Sequence, residues 1–555
     1  MNHKGGGMEP FRDHDLVERA REGDSDAFAE LVRRHRAKAH GWAQSITHDP
    51  HMAEDIVQDA FIRAFLRFGT LLESNRFLPW LRRIVQNEAL GKVRRGGPYR
   101  KEQPFSSLKP VMHESEVNYE DIDSILDYLT RSRGQEEGSR YNPHEILVQK
   151  DILETIRQLL SCLSRRERSI FEAYFFEQLT PQEIADLLST TTGNVYTSLH
   201  RAKQKVQRER IRIFLQRHIH IRKGKGLMGQ KVLSTPKLSA SWTSIAAAIT
   251  TAIGYTGQDV SLSDVMGYTG HAFRLNIHKG DVDVAGPTAY KWNPVVSRGL
   301  AHLGFEVSDV GAQAQTSPEK LTEAVDLIHD SIDRGIPVVT WDLFVPEFGL
   351  IYGYDDEAQT FAAVDFKNDG KLPYDQLGMG EIKELAVFAL GKWKPVDKKH
   401  AFLQALTMAV EHAYGKEPAL RGFVQGVAAY DTWIEAFESG TVDPFGNSYN
   451  VAVAADARRF ATHFLLERSA CPKSIGDSRI VQLTARAAVC YAQVYESLQA
   501  LNQLFPFPAG GNPNESTQRA QAITLLTRAK EEELKGVALM QEIVDALSAS
   551  DEVVD

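Results

Sequence analysis

Cysteine is nearly absent: Cys162, Cys471 and Cys490 are the only three in 555 residues. They are far apart and lack any metal-ligand spacing, which excludes a disulfide framework and gives no sign of zinc. No metal or cofactor is expected. Apolar runs long enough to span a bilayer are also missing, and the first residues lack the apolar core of a signal peptide. The expectation is a cytoplasmic protein with no membrane partner. No repeat of fixed period is visible, so a solenoid is excluded. Charge of one sign is scarce in particular places. Val111 to Thr130 holds six acids and no Lys or Arg, and Arg201 to Lys225 holds ten Lys or Arg and one acid, Glu209. The overall balance of −9 is therefore uneven: residues 1–230 carry 37 basic and 32 acidic side chains, and residues 231–555 carry 27 and 41. A one-sided basic run suits a phosphate backbone, whereas the acidic remainder does not.

The stretch Leu179 to Val206, LTPQEIADLLSTTTGNVYTSLHRAKQKV, predicts two short helices and a tight turn. Ile184, Leu187 and Leu188 make an apolar edge on the first, with Pro181 in its opening turn. Thr191 can cap the second, where Val195, Leu199, Ala202 and Val206 recur at helical spacing. The opposite face presents Thr192, Asn194, Thr197, Ser198, Arg201 and Lys205, groups able to bond base edges or phosphates. A helical hairpin with a merely polar outer face would look similar; the basic run that follows favours the helix-turn-helix. Together with LSCLSRRERSIFEAYFFEQLT before it, the stretch resembles region 4 of the sigma-70 family, in its extracytoplasmic-function (ECF) group. That family often has Gly in the turn and basic residues early in the second helix, where this chain has Ser189, Tyr196 and Ser198.

Residues 11–95 predict a helical bundle. Asp24 can cap a helix containing Ala27, Phe28, Leu31 and Val32. In AEDIVQDAFIRAFLRF, Ala53, Ile56, Val57, Ala60, Phe61, Ala64 and Phe65 keep helical spacing. The other face shows Asp55, Gln58 and Asp59, ordinarily a solvated acidic surface. The motif is similar to sigma region 2.2, and the resemblance implies that these three contact core RNA polymerase. FLPWLRRIVQNEALGKVRR sets Phe77, Trp80, Leu81, Ile84 and Val85 inside and leaves Arg82, Arg83, Lys92, Arg94 and Arg95 as positive charge. Basic residues beside aromatics suit single-stranded DNA. The segment resembles regions 2.3 and 2.4, which in the family melt and read the −10 element. Trp80 is assigned chiefly to packing, and Asn87, Arg94 and Arg95 to DNA.

Residues 96–143 read as an acidic linker, 144–221 as region 4, and RKGKGLMGQKVLSTPKL, 222–238, as a second, flexible linker. Beyond it, a small-residue helix (SWTSIAAAITTAIGY) precedes strands at 335–340, 350–354 and 360–366, which predicts an α+β domain over 239–390. The stretch resembles the papain-like fold of the butirosin-biosynthesis protein H type. Such members place a cysteine at the first helix, a histidine on a strand and an Asp or Asn after it. Here the helix start offers Ser241, Thr243 and Ser244. EFGLIYGYDD puts Glu347 or Phe348 where the histidine belongs, and Asp365 matches the third position. No catalytic residue is assigned. His271, Arg274, Trp341, Glu347, Tyr352 and Asp365 are candidates for a ligand cleft, although a lone His or Trp is more often a packing residue. Residues 391–550 read as all helix, with GFVQGVAAYDTWIEAFES one of its helices and FPFPAGGNPNES a loop.

The expected protein is multidomain: all-α sigma regions 2 and 4, an α+β papain-like domain, and an all-α carboxy-terminal segment. Its partners would be core RNA polymerase, promoter DNA at the −35 and −10 elements, and a small-molecule ligand or regulatory protein. The alternatives are an acyltransferase- or amidase-like domain on a DNA-binding module, or a repressor that never meets polymerase.

Overall fold

A computed structural model describes residues 12–21, 24–47, 49–66, 71, 74–94, 158–175, 179–471, 475 and 478–551. The linker at 96–143 and Arg95 lie outside them, as do the side chains of Asn87 and Arg94. The chain forms two compact units, Met1–Ile213 and Phe214–Asp555.

The first unit is helical. α1 (Asp13–Arg21), α2 (Ser25–Thr47), α3 (Pro50–Leu66) and α4 (Phe77–Arg94) form a bundle. Asp24 accepts from the Ala27 amide at 3.0 Å and so caps α2. The bundle core includes Leu31, Ile56, Val57, Phe77, Trp80 and Leu81. A second core gathers Ile170 and Phe171 of α5 (Arg165–Phe175), Ile184 of α6 (Pro181–Leu187), and Val195, Leu199, Ala202 and Val206 of α7 (Thr192–Gly224). Thr180 and Glu183 form a reciprocal capping box at α6, with Pro181 in its first turn. The turn between α6 and α7 places Ser189 at φ 49°, a left-handed conformation that a glycine adopts without penalty. Ser189 therefore does the work of a turn glycine at some cost in strain.

The second unit begins within α7. Its main sheet runs β3 (Phe305–Gln315), β8 (Glu384–Trp393), β4 (Val338–Trp341), β5 (Phe348–Asp355), β6 (Thr360–Val364) and β7 (Asp369–Pro373), with antiparallel neighbours throughout. The segment 222–238 corrects the expectation of a flexible linker. α7 continues to Gly224, where Arg222 pairs with Asp326 at 2.8 Å. Gln230–Val232 then forms β1 against the 353–355 end of β5. β4 occupies the 348–351 part of β5, and β6 lies along its other side, so β1 prolongs the place of β4 along one edge. Gly and Lys permit this because β1 contributes mainly backbone. Its flanks are fixed by Asp356, which accepts from the Gly229 amide, and by the Leu233 amide, which donates to the Tyr352 carbonyl at 2.8 Å.

α8 (Ser244–Gly254), α10 (Trp292–His302) and α11 (Pro318–Asp333) pack on the sheet, and α9 (Leu262–Tyr268) and α12 (Lys398–Ala413) pack on other helices within the same core. α13 (Ala428–Ser439), α14 (Pro444–Ser469), α15 (Ser478–Leu504) and α16 (Ser516–Asp551) follow. The separation of 239–390 from 391–550 is corrected by the core, because one apolar cluster runs from Ile245 and Phe348 through Phe402 and Phe464 to Leu547. Nor is the second part wholly helical: Phe423–Gln425 is β9, paired with β2 (Asn276–His278).

Candidate nucleic-acid interface and small-molecule cleft

On α7 the sequence pattern becomes two faces. Val195, Leu199, Ala202 and Val206 are buried, while Asn194, Tyr196, Thr197, Arg201 and Lys205 are exposed, and Thr192 and Ser198 half-buried. Thr191 accepts from the Asn194 amide at 3.2 Å and so caps the helix. Three of the candidate DNA contacts have local partners, the Asn194 side-chain amide donating to Thr190 Oγ1 at 3.4 Å. The Thr197 hydroxyl donates to the Gly193 carbonyl at 2.9 Å, and the Lys205 ammonium donates to Glu167 at 2.8 Å. That lysine is the main reason the Glu167 carboxyl is held down to about 2. Arg201 remains exposed on the polar face.

On α3 the stripe from Ala53 to Ala64 is buried, Asp55 and Gln58 are exposed and Asp59 is half-buried, all three off the core, while the Phe65 side chain lies outside the described residues. Trp80 is buried against Phe77 at 6.1 Å between ring centres, the packing role expected of it. Arg82 is exposed and lies over the Trp42 ring at 5.8 Å, while Arg83 pairs with Glu183 at 2.8 Å.

In the second unit, the three papain-like positions are engaged with one another or with backbone. Ser244 Oγ donates to Glu347 and accepts from the Phe348 amide at 3.2 Å. Glu347 also accepts from Tyr449, and burial raises its pKa despite both hydroxyls. Asp365 accepts four backbone amides, Phe344, Val345, Lys367 and Asn368, at 2.8–3.1 Å, which fixes two turns. Ser241 donates to Asp456 at 2.7 Å. The carboxylates here hold chain segments together.

Two cavities lie elsewhere. One of about 240 Å³ is lined by Arg274, Tyr290, Lys291, Val295, Arg298 and Lys416, with Met408, Glu411 and Glu417 among its other walls. A smaller one of about 30 Å³ is lined by Thr243, His271, Arg274, Asn276 and Asn450, among others. Of the six candidate cleft residues, Arg274 lines both cavities and His271 the smaller. Trp341, Glu347, Tyr352 and Asp365 line neither of these two. Trp341 packs on Trp292 at 4.7 Å, and the Tyr352 hydroxyl donates to Asp369 at 2.6 Å. His271 bridges Thr269 and Tyr290 at 2.6 and 2.7 Å, and burial lowers its pKa to about 3. It is a satisfied core histidine. The larger cavity was missed because its walls come from four separated segments.

Comparison with known proteins finds similarity in the amino-terminal unit. Residues 31–98 match the family model Sigma-70 region 2, and residues 153–206 match Sigma-70, region 4. The chain is 25% identical to the ECF RNA polymerase sigma factor SigW of Bacillus subtilis over 35% of its length and 94% of that protein. It is 25% identical to the RNA polymerase sigma-H factor of Pseudomonas aeruginosa over 36% of its length and 93% of that protein. The ECF RNA polymerase sigma-E factor of Escherichia coli matches at 23% over 36% of this chain and 94% of its own. A solved structure, of CnrH in complex with the cytosolic domain of CnrY, matches at 20% identity over 35% of this chain and 94% of that chain. Its TM-score of 0.15 is too low to bear on shape. Two stretches of the chain thus match the sigma-70 region models in family order, and a mixed α/β region and a helical segment follow them. Among the described residues no helix is long and apolar enough to cross a membrane.

Proposed function

We propose that this protein is an ECF-type sigma factor that directs promoter-specific transcription initiation and carries a ligand-sensing or regulatory second unit without papain chemistry. The observation that carries the reading is the division of α7 in a matched region 4. Its apolar stripe closes a core, and its polar face is left outward as a recognition helix for the −35 major groove. Asp55, Gln58 and Asp59 supply the polymerase contact. Asn87, Arg94 and Arg95 supply contacts to the melted −10 strand. On the recognition helix, Thr192, Ser198 and Arg201 are the freer DNA groups; Asn194, Thr197 and Lys205 join them by exchanging their local partners for DNA.

The second unit is read as non-catalytic because Ser244, Glu347 and Asp365 bind one another's segments. Residues 231–555 are acidic where residues 1–230 are basic, so their field opposes the approach of DNA. The test is run-off transcription with core RNA polymerase and the full chain. Promoter-specific transcript is expected from the parent and none from Asp55→Arg/Asp59→Arg, whose unfolding should be unchanged. Undiminished co-purification of that double variant with core enzyme would defeat the docking assignment.

A further inference from the structure

We infer that the cavity of about 240 Å³ in the second unit binds a small organic anion, with its carboxylate or phosphate among Lys291, Arg298, Lys416 and Arg274 and its apolar body against Val295 and Met408. The inference deepens the sensing role proposed above and rests on it only for its consequence, not for the site itself.

Charge comes first. Four cations and two carboxylates line the cavity. Both carboxylates are already matched: Glu411 pairs with Arg298 at 3.0 Å, and Glu417 with Arg274 and, at 3.0 Å, with His412. Among the described residues neither Lys291 nor Lys416 forms an ion pair, Lys291 feeling only the longer-range field of Glu384, so the walls themselves keep an excess of two positive charges inside a strongly acidic half. α10 starts at this wall, and its cap residue, Lys291, supplies no side-chain acceptor. The positive end of the helix dipole adds to the same field.

Arg274 gives the independent sign of a ligand. Its side chain is 5% exposed, stacked over Tyr290 at 4.4 Å, and paired with Glu417, yet its Nε has no hydrogen-bond partner. An orphaned guanidinium N–H in such a place is costly, and a small shift of the Arg274 head group toward an acceptor held in the cavity would satisfy it. Thr243 Oγ1 and Asn276 Oδ1, on the adjoining smaller cavity, are likewise without partners. The rest of the wall, Pro294, Val295, Met408 and Pro418, offers apolar contact and no acceptor side chain. Anion and apolar body together describe the occupant.

Arg274 also explains how occupancy would be felt. Its carbonyl accepts from the fully buried Arg458, which bridges to Glu533 on α16 at 2.6 Å. Tyr430 of α13 donates to the same carboxylate at 2.6 Å. The cavity is therefore joined by hydrogen bonds to the last helix of the chain.

The test is calorimetric titration of the full chain with octanoate, octyl phosphate and octan-1-ol, in the absence of polymerase. The two anions are expected to bind at least tenfold more tightly than the alcohol and more weakly as salt rises. Their relative affinity distinguishes a carboxylate from a phosphate ligand. Lys291→Glu/Lys416→Glu, both exposed positions, should unfold at the parent temperature and bind the anions at least tenfold more weakly. Equal affinity for octan-1-ol, full affinity in the double variant, or no binding of either anion would overturn the site. Binding that leaves transcription by the full chain unchanged would instead remove the sensing role and keep the site.

Discussion

Glu533→Ala tests the physical account of the second unit most directly. The Arg458 and Glu533 side chains are 1% and 3% exposed, bonded at 2.6 and 3.1 Å, with the Tyr430 hydroxyl on the same carboxylate. Removing the carboxylate strands a guanidinium in the core, at a cost of about 3–5 kcal/mol. The orphaned Tyr430 hydroxyl adds about 1 kcal/mol. Against a domain stability of about 5–15 kcal/mol, that is a large fraction. With a urea dependence of about 3 kcal/mol/M, the midpoint of the second unit should fall by about 1–2 M. Tryptophan fluorescence reports it, because five of the seven tryptophans lie beyond Ile213. The same argument predicts that Arg458→Met/Glu533→Leu/Tyr430→Phe recovers most of the loss, since an apolar replacement leaves no stranded charge. A loss below about 1 kcal/mol in Glu533→Ala, or an apolar triple variant as damaged as the single, would refute the reasoning.

Four further outcomes are expected. Arg201→Ala should weaken promoter binding and, if the guanidinium meets phosphate, lower the slope of log affinity against log salt by about one; gel-shift titration at several salt concentrations decides it. Ser189→Gly should stabilise the first unit by up to about 1 kcal/mol in thermal melts, because glycine relieves the left-handed backbone. Leu233→Pro should cost the second unit about 1–3 kcal/mol by deleting the donor to the Tyr352 carbonyl; a flexible linker at that position would tolerate it in urea titrations. His271 has a pKa lowered to about 3 by burial, so its neutral form is preferred in the folded state. The stability this gives is complete above about pH 6.5 and lost as pH falls toward 3, and His271→Gln should flatten that slope in urea midpoints.

The helical parts of the first unit were legible because one local period carries them: Val195, Leu199, Ala202 and Val206 declare their common face within twelve residues. β1 was not legible, since QKV between glycines and lysines becomes a strand only by pairing with residues about 120 positions away. α14 hid for the opposite reason. From Gly446 to Arg458 it is buried on nearly every side, with Asn450, Asp456 and Arg458 inside, so that half shows no polar face for a helical period to reveal. The ligand cleft followed the papain-like motif to Glu347 and Asp365, where short-range hydrogen bonds consume the carboxylates. The open cavity instead assembles Arg274, Lys291, Arg298 and Lys416 from segments that share no motif.

The single core joining Ile245 to Leu547 also sets a timetable. Every contact the first unit needs has been synthesised once Ile213 is made, but the second unit lacks part of its core until Leu547. At about 5–20 residues per second, the intervening stretch takes on the order of 15–70 s on the ribosome. Each new molecule therefore passes through an interval in which its amino-terminal unit can be complete while the remainder is still being built.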